Sequence, residues 1–139
     1  MNAMTARFFA DTNVVVYTLD ADLNKRRAAL SVMRTHPVIS VQVINEFISV
    51  AIGKMKLHRS TANRLARILM KRCEVVGMSV ETVSLAINLG ERYQLSHWDS
   101  LIVASALDAG CDTLYSEDMQ DGQVFEDRLK VNNPFVILA

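Results

Sequence analysis

Short apolar triplets alternating with helix-period segments constrain this chain more than any other feature of its sequence. Arg7 to Ala10, Val38-Ile39-Ser40, Val75-Val76, Thr113 to Ser116 and, near the end, Phe135 to Leu138 read as strands. Between them the apolar spacing changes to that of helices, over Val14 to Leu19, Leu23 to Met33, about Val43 to Met55, the stretch around Leu65 to Leu69, Val80 to Tyr93 and His97 to Ala109. His36-Pro37 closes the second helix, because the residue before a proline is pushed out of helical backbone. A helix between two strands carries the chain back to the end from which it started, so the strands pair mostly in parallel. The predicted fold is α/β: a mostly parallel central sheet, helices on both faces and right-handed crossovers.

Nothing divides the chain. Its 139 residues suit a single domain spanning 1–139, and a domain of that size buries about two-thirds of its unfolded surface. Half of the residues are hydrophobic and 22% are charged, as in ordinary globular proteins, with no repeat, linker or low-complexity stretch. Cys73 and Cys111 have no CxxC or Cys/His spacing, which excludes a disulfide framework or zinc ribbon and leaves two reduced core thiols. The N-terminal MNAMTARFFADTN lacks a signal-peptide core, and no apolar run approaches the roughly 20 residues needed to span a bilayer. A soluble, cytoplasmic protein without a membrane partner is expected.

Fifteen basic and fifteen acidic residues cancel, but they are sorted along the chain. Residues 47–73 carry seven Lys/Arg and no Asp/Glu, whereas 74–139 carry three and eleven. Arg64, Arg67 and Lys71 recur at i, i+3 and i+7, opposite Leu65, Ile68 and Leu69, on an amphipathic helix capped by Ser60 or Thr61. Such a stripe can follow a phosphate backbone, although a solvated helix face has the same pattern.

In an open parallel sheet, ligands bind beyond the carboxyl ends of the strands, so acids at strand-to-helix turns can meet there. Asp11 follows the first strand, Glu46 follows the second, Asp99 opens a helix, and Asp118 follows the strand ending at Ser116. They stand 35, 53 and 19 residues apart. Gathering four carboxylates raises their pKa values and opposes folding unless a cation sits among them. All-oxygen ligation without Cys or a His set suits Mg²⁺ or Mn²⁺, ions suited to phosphodiester chemistry. Each acid also has a plainer role open to it. Asp11 or Asn13 can cap the following helix, Asp99 completes an S-x-x-D capping box with Ser96, and Asp118 shares an acidic surface turn with Glu117 and Asp121. For Glu46 that role is exposure on a polar helix face, which its apolar neighbours Val43, Ile44, Phe47 and Ile48 make less comfortable.

Taken in order, Phe9-Ala10-Asp11-Thr12-Asn13-Val14, Gln42 to Phe47, Ser96 to Ala106, Leu114 to Gly122 and Asn133-Pro134-Phe135 make the chain resemble the PIN-domain ribonucleases, especially VapC-type toxins of bacterial toxin-antitoxin pairs. The resemblance spans nearly the whole chain. It implies a single PIN-like domain acting as a metal-dependent endoribonuclease. Asp11, Glu46, Asp99 and Asp118 would hold one or two Mg²⁺ or Mn²⁺ ions, with Asp121 assisting. It also implies that Thr12 and Ser116 position the carboxylates, that Asn13 braces the first turn, and that the protein forms a homodimer inhibited by a small antitoxin. Arg64, Arg67 and Lys71 would then hold flanking RNA phosphates. His97 reads as packed or solvent-facing, and Trp98 as core rather than a platform for bases.

Two rival readings stand beside this one. A haloacid-dehalogenase-type phosphohydrolase would show DxD where this chain has Asp11-Thr12-Asn13, and a receiver domain would want paired acids there and a late Lys. A non-catalytic RNA- or protein-binding module on a PIN-like scaffold is the second, because a fold does not dictate its function.

Overall fold

The computed structural model describes residues 6–136. Met1–Thr5 of the N-terminal segment, and Ile137 and Leu138 of the expected last strand, lie outside the described residues. In chain order the elements are β1 (Phe8–Ala10), α1 (Thr12–Tyr17), α2 (Leu23–Met33), β2 (Val38–Ser40), α3 (Val41–Gly53), α4 (Arg59–Arg72), β3 (Glu74–Val76), α5 (Val80–Tyr93), α6 (His97–Asp108), β4 (Thr113–Tyr115), β5 (Val124–Phe125) and β6 (Leu129–Asn132).

The sheet order is β3-β2-β1-β4-β6-β5. Every neighbouring pair is parallel except β5 with β6. Phe9 of β1 stands opposite Val38 of β2 and Leu114 of β4, and Leu114 opposite Val131 of β6, so one buried apolar row crosses the middle of the sheet. All three residues of β2 are buried, as befits a strand covered on both faces. Helices α1 to α4 pack among themselves, and α5 packs with α6. Successive crossovers move outward from β1 to β2 to β3; the next returns across the sheet to β4, on the other side of β1. The chain thus reverses between β1 and β4, which is where such sheets open a crevice.

Helix α6 is the most completely buried helix, with every residue from Ser100 to Leu107 covered. Against it lies α5, tied by the Thr82 hydroxyl donating to the Asp108 carboxylate at 2.8 Å. The approach is close at Gly90, where a Cβ would stand 2.8 Å from Ser100 Oγ. That hydroxyl also donates to the Ser96 carbonyl at 2.8 Å, fixing the first turn of α6.

Three expectations need correction. Among the described residues the last strand is Leu129–Asn132, and Phe135, where the strand Phe135 to Leu138 was expected to begin, lies in a turn and packs edge-on against Tyr17, with ring centroids 5.0 Å apart. Its backbone N–H donates to Asn133 Oδ1, so the Asn-Pro pair folds the chain back locally. Helix α4 begins at Arg59 behind His58, placing Ser60 and Thr61 inside its first turn rather than at the cap. His58 makes no side-chain cap bond; it and Arg59 are exposed, so solvent can satisfy the open N–H groups. Trp98 is 64% exposed and is not part of the core. Cys73 and Cys111 are free and buried, and no helix among the described residues is long and apolar enough to cross a membrane.

Candidate active site

Each of the four expected carboxylates is delivered by its own element. The chain leaves β1 at Asp11, whose extended backbone makes it the N-cap of α1, with Oδ1 accepting from Thr12 N–H at 2.7 Å. Ser40 ends β2 and caps α3, so Gln42, Glu46, Ser49 and Val50 fall on one helical face. Glu46 therefore lies in the second turn of α3. Ser96 caps α6 by accepting from Asp99 N–H at 3.1 Å, which sets Asp99 in the first turn, the end of a helix where negative charge is favoured. Beyond β4, Ser116 and Asp118 continue the strand that pairs with β1.

These four segments open onto one cleft of about 420 Å³. Its lining comprises Asp11, Thr12, Asn13, Gln42, Glu46, Ser49, Val50, Trp98, Asp99, Ile102 and Asp118, and contains no Lys, Arg or His. The two ion pairs among the described residues, Arg7 with Glu74 and Arg92 with Glu126, both lie outside it.

Neutral donors hold three of the carboxylates. The Thr12 hydroxyl donates to Glu46 Oε1 at 2.6 Å, Asn13 Nδ2 to Asp118 Oδ2 at 2.8 Å, and Ser116 Oγ to Asp11 Oδ2 at 2.9 Å. Ser116 Oγ in turn accepts from Asp118 N–H at 3.2 Å, so one serine connects both edges of the crevice. One turn beyond Asn13, the Tyr17 hydroxyl donates to Glu117 at 2.6 Å, so that α1 grips the Asp118 loop at two points. Hydrogen bonding to Glu117 and partial burial together push the Tyr17 phenol up to about 12.

Like charges in a poorly solvated place resist ionisation. Asp11 is only 6% exposed, and burial is the main reason its carboxyl is pushed up to about 6. The Ser116 hydroxyl and Thr12 N–H oppose that rise, while the charges of Asp118 and Asp99 add to it. Asp99 is raised by burial and then by Asp118 and Glu46, against a lowering by Ser96; Asp118 is raised by burial and by Glu117. Among the described residues no three acidic, His or Cys side chains converge on a ready-made metal position. Three of the carboxylates each accept from a different neutral donor. The donor chemistry still fits a hard divalent ion: four carboxylates, no thiol, no imidazole, and a buried Asp11 without a countercharge.

Other expected residues fall elsewhere. Asp121 does not line the cleft; its Oδ1 accepts from Asn133 N–H at 2.8 Å and secures the turn after β6. Asn13 lies within α1 and braces Asp118 rather than its own turn. Arg64, Arg67 and Lys71 are exposed on α4, whose Ala62 and Ala66 are buried, and none of the three reaches the cleft lining. His97 is exposed and meets Trp98 edge-on at 5.7 Å, outside the lining. Trp98, read as core, stands in the lining instead, and Gln42 and Ser49 join it without having been singled out, although the i, i+4 spacing of Gln42 and Glu46 places the glutamine beside the acid.

The sequence matches the family model described as the PIN domain over residues 8–121. Comparison with curated protein sequences finds no match. Among solved structures, a toxin-antitoxin complex from Klebsiella pneumoniae is similar at 22% identity, covering 94% of this chain and 98% of that one, with a TM-score of 0.68. Mycobacterium tuberculosis VapC20, described as a Sarcin-Ricin loop cleaving toxin, shares 19% identity over 80% of this chain and 89% of that one, with a TM-score of 0.65. DNA-bound VapBC from Salmonella typhimurium shares 16% over 91% and 98%, with a TM-score of 0.67.

Proposed function

Because the chain belongs to the PIN domain family, we propose that it is a metal-dependent endoribonuclease hydrolysing RNA phosphodiester bonds, and the toxin of a toxin-antitoxin pair. One observation carries this reading: carboxylates from four separate segments line a single cleft at the carboxyl edge of a parallel sheet, with no basic residue among them. Asp11, Glu46, Asp99 and Asp118 would hold Mg²⁺ or Mn²⁺. When bound, the ion supplies charge neutralisation at the phosphoryl oxygens and activation of water.

The chain's own residues do the rest. Asp11 is rigid, capped on one oxygen by Thr12 N–H and on the other by Ser116. Thr12 and Asn13, neighbours on α1, aim Glu46 and Asp118 from opposite sides of the crevice. The exposed indole of Trp98 at the cleft offers an unstacked base a flat apolar face. A small antitoxin partner is supported by the toxin-antitoxin description of the Klebsiella pneumoniae complex, and a homodimer acting on cytoplasmic RNA completes the proposal.

Purified protein should cleave single-stranded RNA with Mn²⁺ or Mg²⁺, stop when EDTA is added, and leave a chromogenic phosphate monoester intact. Uncut RNA with both metals, or hydrolysis of the ester alone, would reject the nuclease reading.

The basic face of α4 is assigned to RNA outside the cleft. Replacing Arg64, Arg67 and Lys71 together by Gln should weaken RNA binding and make its dependence on log salt shallower by about 0.7 for each phosphate no longer neutralised. Titrations at several salt concentrations measure this, and an unchanged slope would return the stripe to ordinary solvated surface.

A further inference from the structure

The bend after β4 carries two acids side by side. Glu117 and Asp118 stand between the buried residues Ser116 and Met119, yet only Asp118 lines the cleft. Burial and then the charge of Glu117 work against the ionisation of Asp118, so a second acid at this place is a cost unless it is put to use. Its carboxylate accepts from the Tyr17 hydroxyl at 2.6 Å, the short bond typical of a hydroxyl and an ionised acceptor. Tyr17 is itself held on two sides. Phe135 meets its ring edge-on at 5.0 Å, and the Lys25 ammonium on α2 lies 4.6 Å from the ring centroid.

We infer that Tyr17, which lies outside the cleft, is a positioning residue for metal binding: by holding Glu117 away from the cleft it sets the bend so that Asp118 presents Oδ1 to the ion. The inference rests on the metal-dependent reading given above and says how one of its ligands is aimed. Tyr17 and Asn13 are one turn apart on α1 and take adjacent acids, Asn13 Nδ2 donating to Asp118 Oδ2 at 2.8 Å. That bond leaves Asp118 Oδ1 for the ion, and the Ser116 hydroxyl, accepting from Asp118 N–H at 3.2 Å, fixes the backbone behind it. A rotation of the bend that brought Glu117 toward the cleft would break both bonds to α1. A carboxylate ordered before the ion arrives needs less rearrangement to ligate it, and partners one step behind a metal ligand commonly account for about tenfold or more of its affinity.

The test titrates the full chain with Mn²⁺ and reads the free ion by electron paramagnetic resonance, for wild type, Tyr17→Phe, Glu117→Ala, Glu117→Gln and the double variant Tyr17→Phe/Glu117→Ala. Circular dichroism confirms that each is folded, so a change in stability alone does not move the Kd. Tyr17→Phe keeps the ring and removes only the hydroxyl. Its Kd should rise about tenfold, Glu117→Ala should match it, and the double variant should bind no more weakly than either, since each change breaks the same bond. Glu117→Gln keeps an acceptor for the hydroxyl and should stay within about threefold of wild type. An unchanged Kd in either Tyr17→Phe or Glu117→Ala would overturn the inference and leave the tyrosine a tether of the fold. A loss in Glu117→Gln as large as in Tyr17→Phe would overturn it too, by making the charge of Glu117 responsible rather than its placement. RNA cleavage is scored separately: a wild type that binds Mn²⁺ and leaves RNA uncut sinks the nuclease reading alone, an unaltered Kd beside intact cleavage sinks this inference alone, and a wild type that binds no Mn²⁺ sinks both.

Discussion

Asp11→Asn and Asp99→Asn should each lower metal-dependent RNA cleavage by about a hundred- to a thousandfold, the range found when one group stabilising transition-state charge is removed. Each change keeps the side-chain outline and removes one negative charge. The two residues come from different elements, the end of β1 and the first turn of α6, and share only the cleft. A similar loss from both would therefore point to one shared centre. Cleavage time courses on RNA with Mn²⁺ give the ratio, and far-ultraviolet circular dichroism checks that both variants fold. Retention of wild-type rates by either would remove that carboxylate from the mechanism.

The second large effect needs no substrate. In the folded protein Asp11 holds its proton up to about pH 6, against a reference value of 3.8, so folding favours its neutral form. The stability tied to that proton is complete below about pH 4 and is lost as pH rises through 6. For this buried group the loss is about 3 kcal/mol at neutral pH, as an order of magnitude. Metal-free Asp11→Asn should accordingly be more stable than wild type at pH 7 by up to that amount, with the advantage fading by pH 4. Added Mn²⁺ should reverse the order. A ligand at a hundredfold excess over its Kd stabilises the folded state by about 2.7 kcal/mol, a gain that the variant should largely lack. Asp20 lies outside the cleft, where its side chain accepts from Asp22 N–H at 2.8 Å, so Asp20→Asn should keep the wild-type response. Urea unfolding in EDTA and in Mn²⁺ at both pH values decides. If all three proteins respond to Mn²⁺ alike, the ion binds elsewhere.

The parallel part of the sheet was legible because its strands are bracketed by helices whose apolar period differs from their own. β1, β2, β3 and β4 all lie within the segments read as strands or beside them. The hairpin at the far edge was not. Its turn places Glu126 and Asp127 at φ of 54° each, a left-handed conformation usually announced by Gly or Asn. Nothing local in the sequence advertises it. Distant residues hold it instead: Tyr93 accepts from Glu126 N–H at 3.0 Å and donates to its carboxylate at 2.8 Å, while Arg92 pairs with the same carboxylate at 2.7 Å. Yet Leu129 to Asn132 alternates buried and exposed, a period-two signal that Phe135 and Val136 do not share.

The same contrast runs through the site. Asp11, Asp99 and Asp118 could be placed because turns after strands and helix starts have recognisable residues, and Glu46 because its neighbours are apolar. Trp98 departs from its expected burial for a physical reason: it neighbours Asp99 at the start of α6, before the fully buried run from Ser100 to Leu107, and size alone suggested a core residue. Whether Gln42 is paired depends on what the three other segments of the cleft bring near it, and no local pattern carries that information.

The close seating of α5 on α6 extends the region of the sequence that is not free to drift. Gly90 does not line the cleft, but any side chain there meets the Ser100 hydroxyl, and Ser100 adjoins Asp99. The Ser100 hydroxyl is also bonded to the Ser96 carbonyl, within the turn that presents the acid. A methyl group at position 90 therefore has two outlets, parting the two helices or twisting the first turn of α6. Variation tolerated on the exposed side of α5 would be refused on this side, at a residue outside the cleft, and a survey of permitted substitutions would find the boundary of the candidate site lying inside a helix that lines none of it.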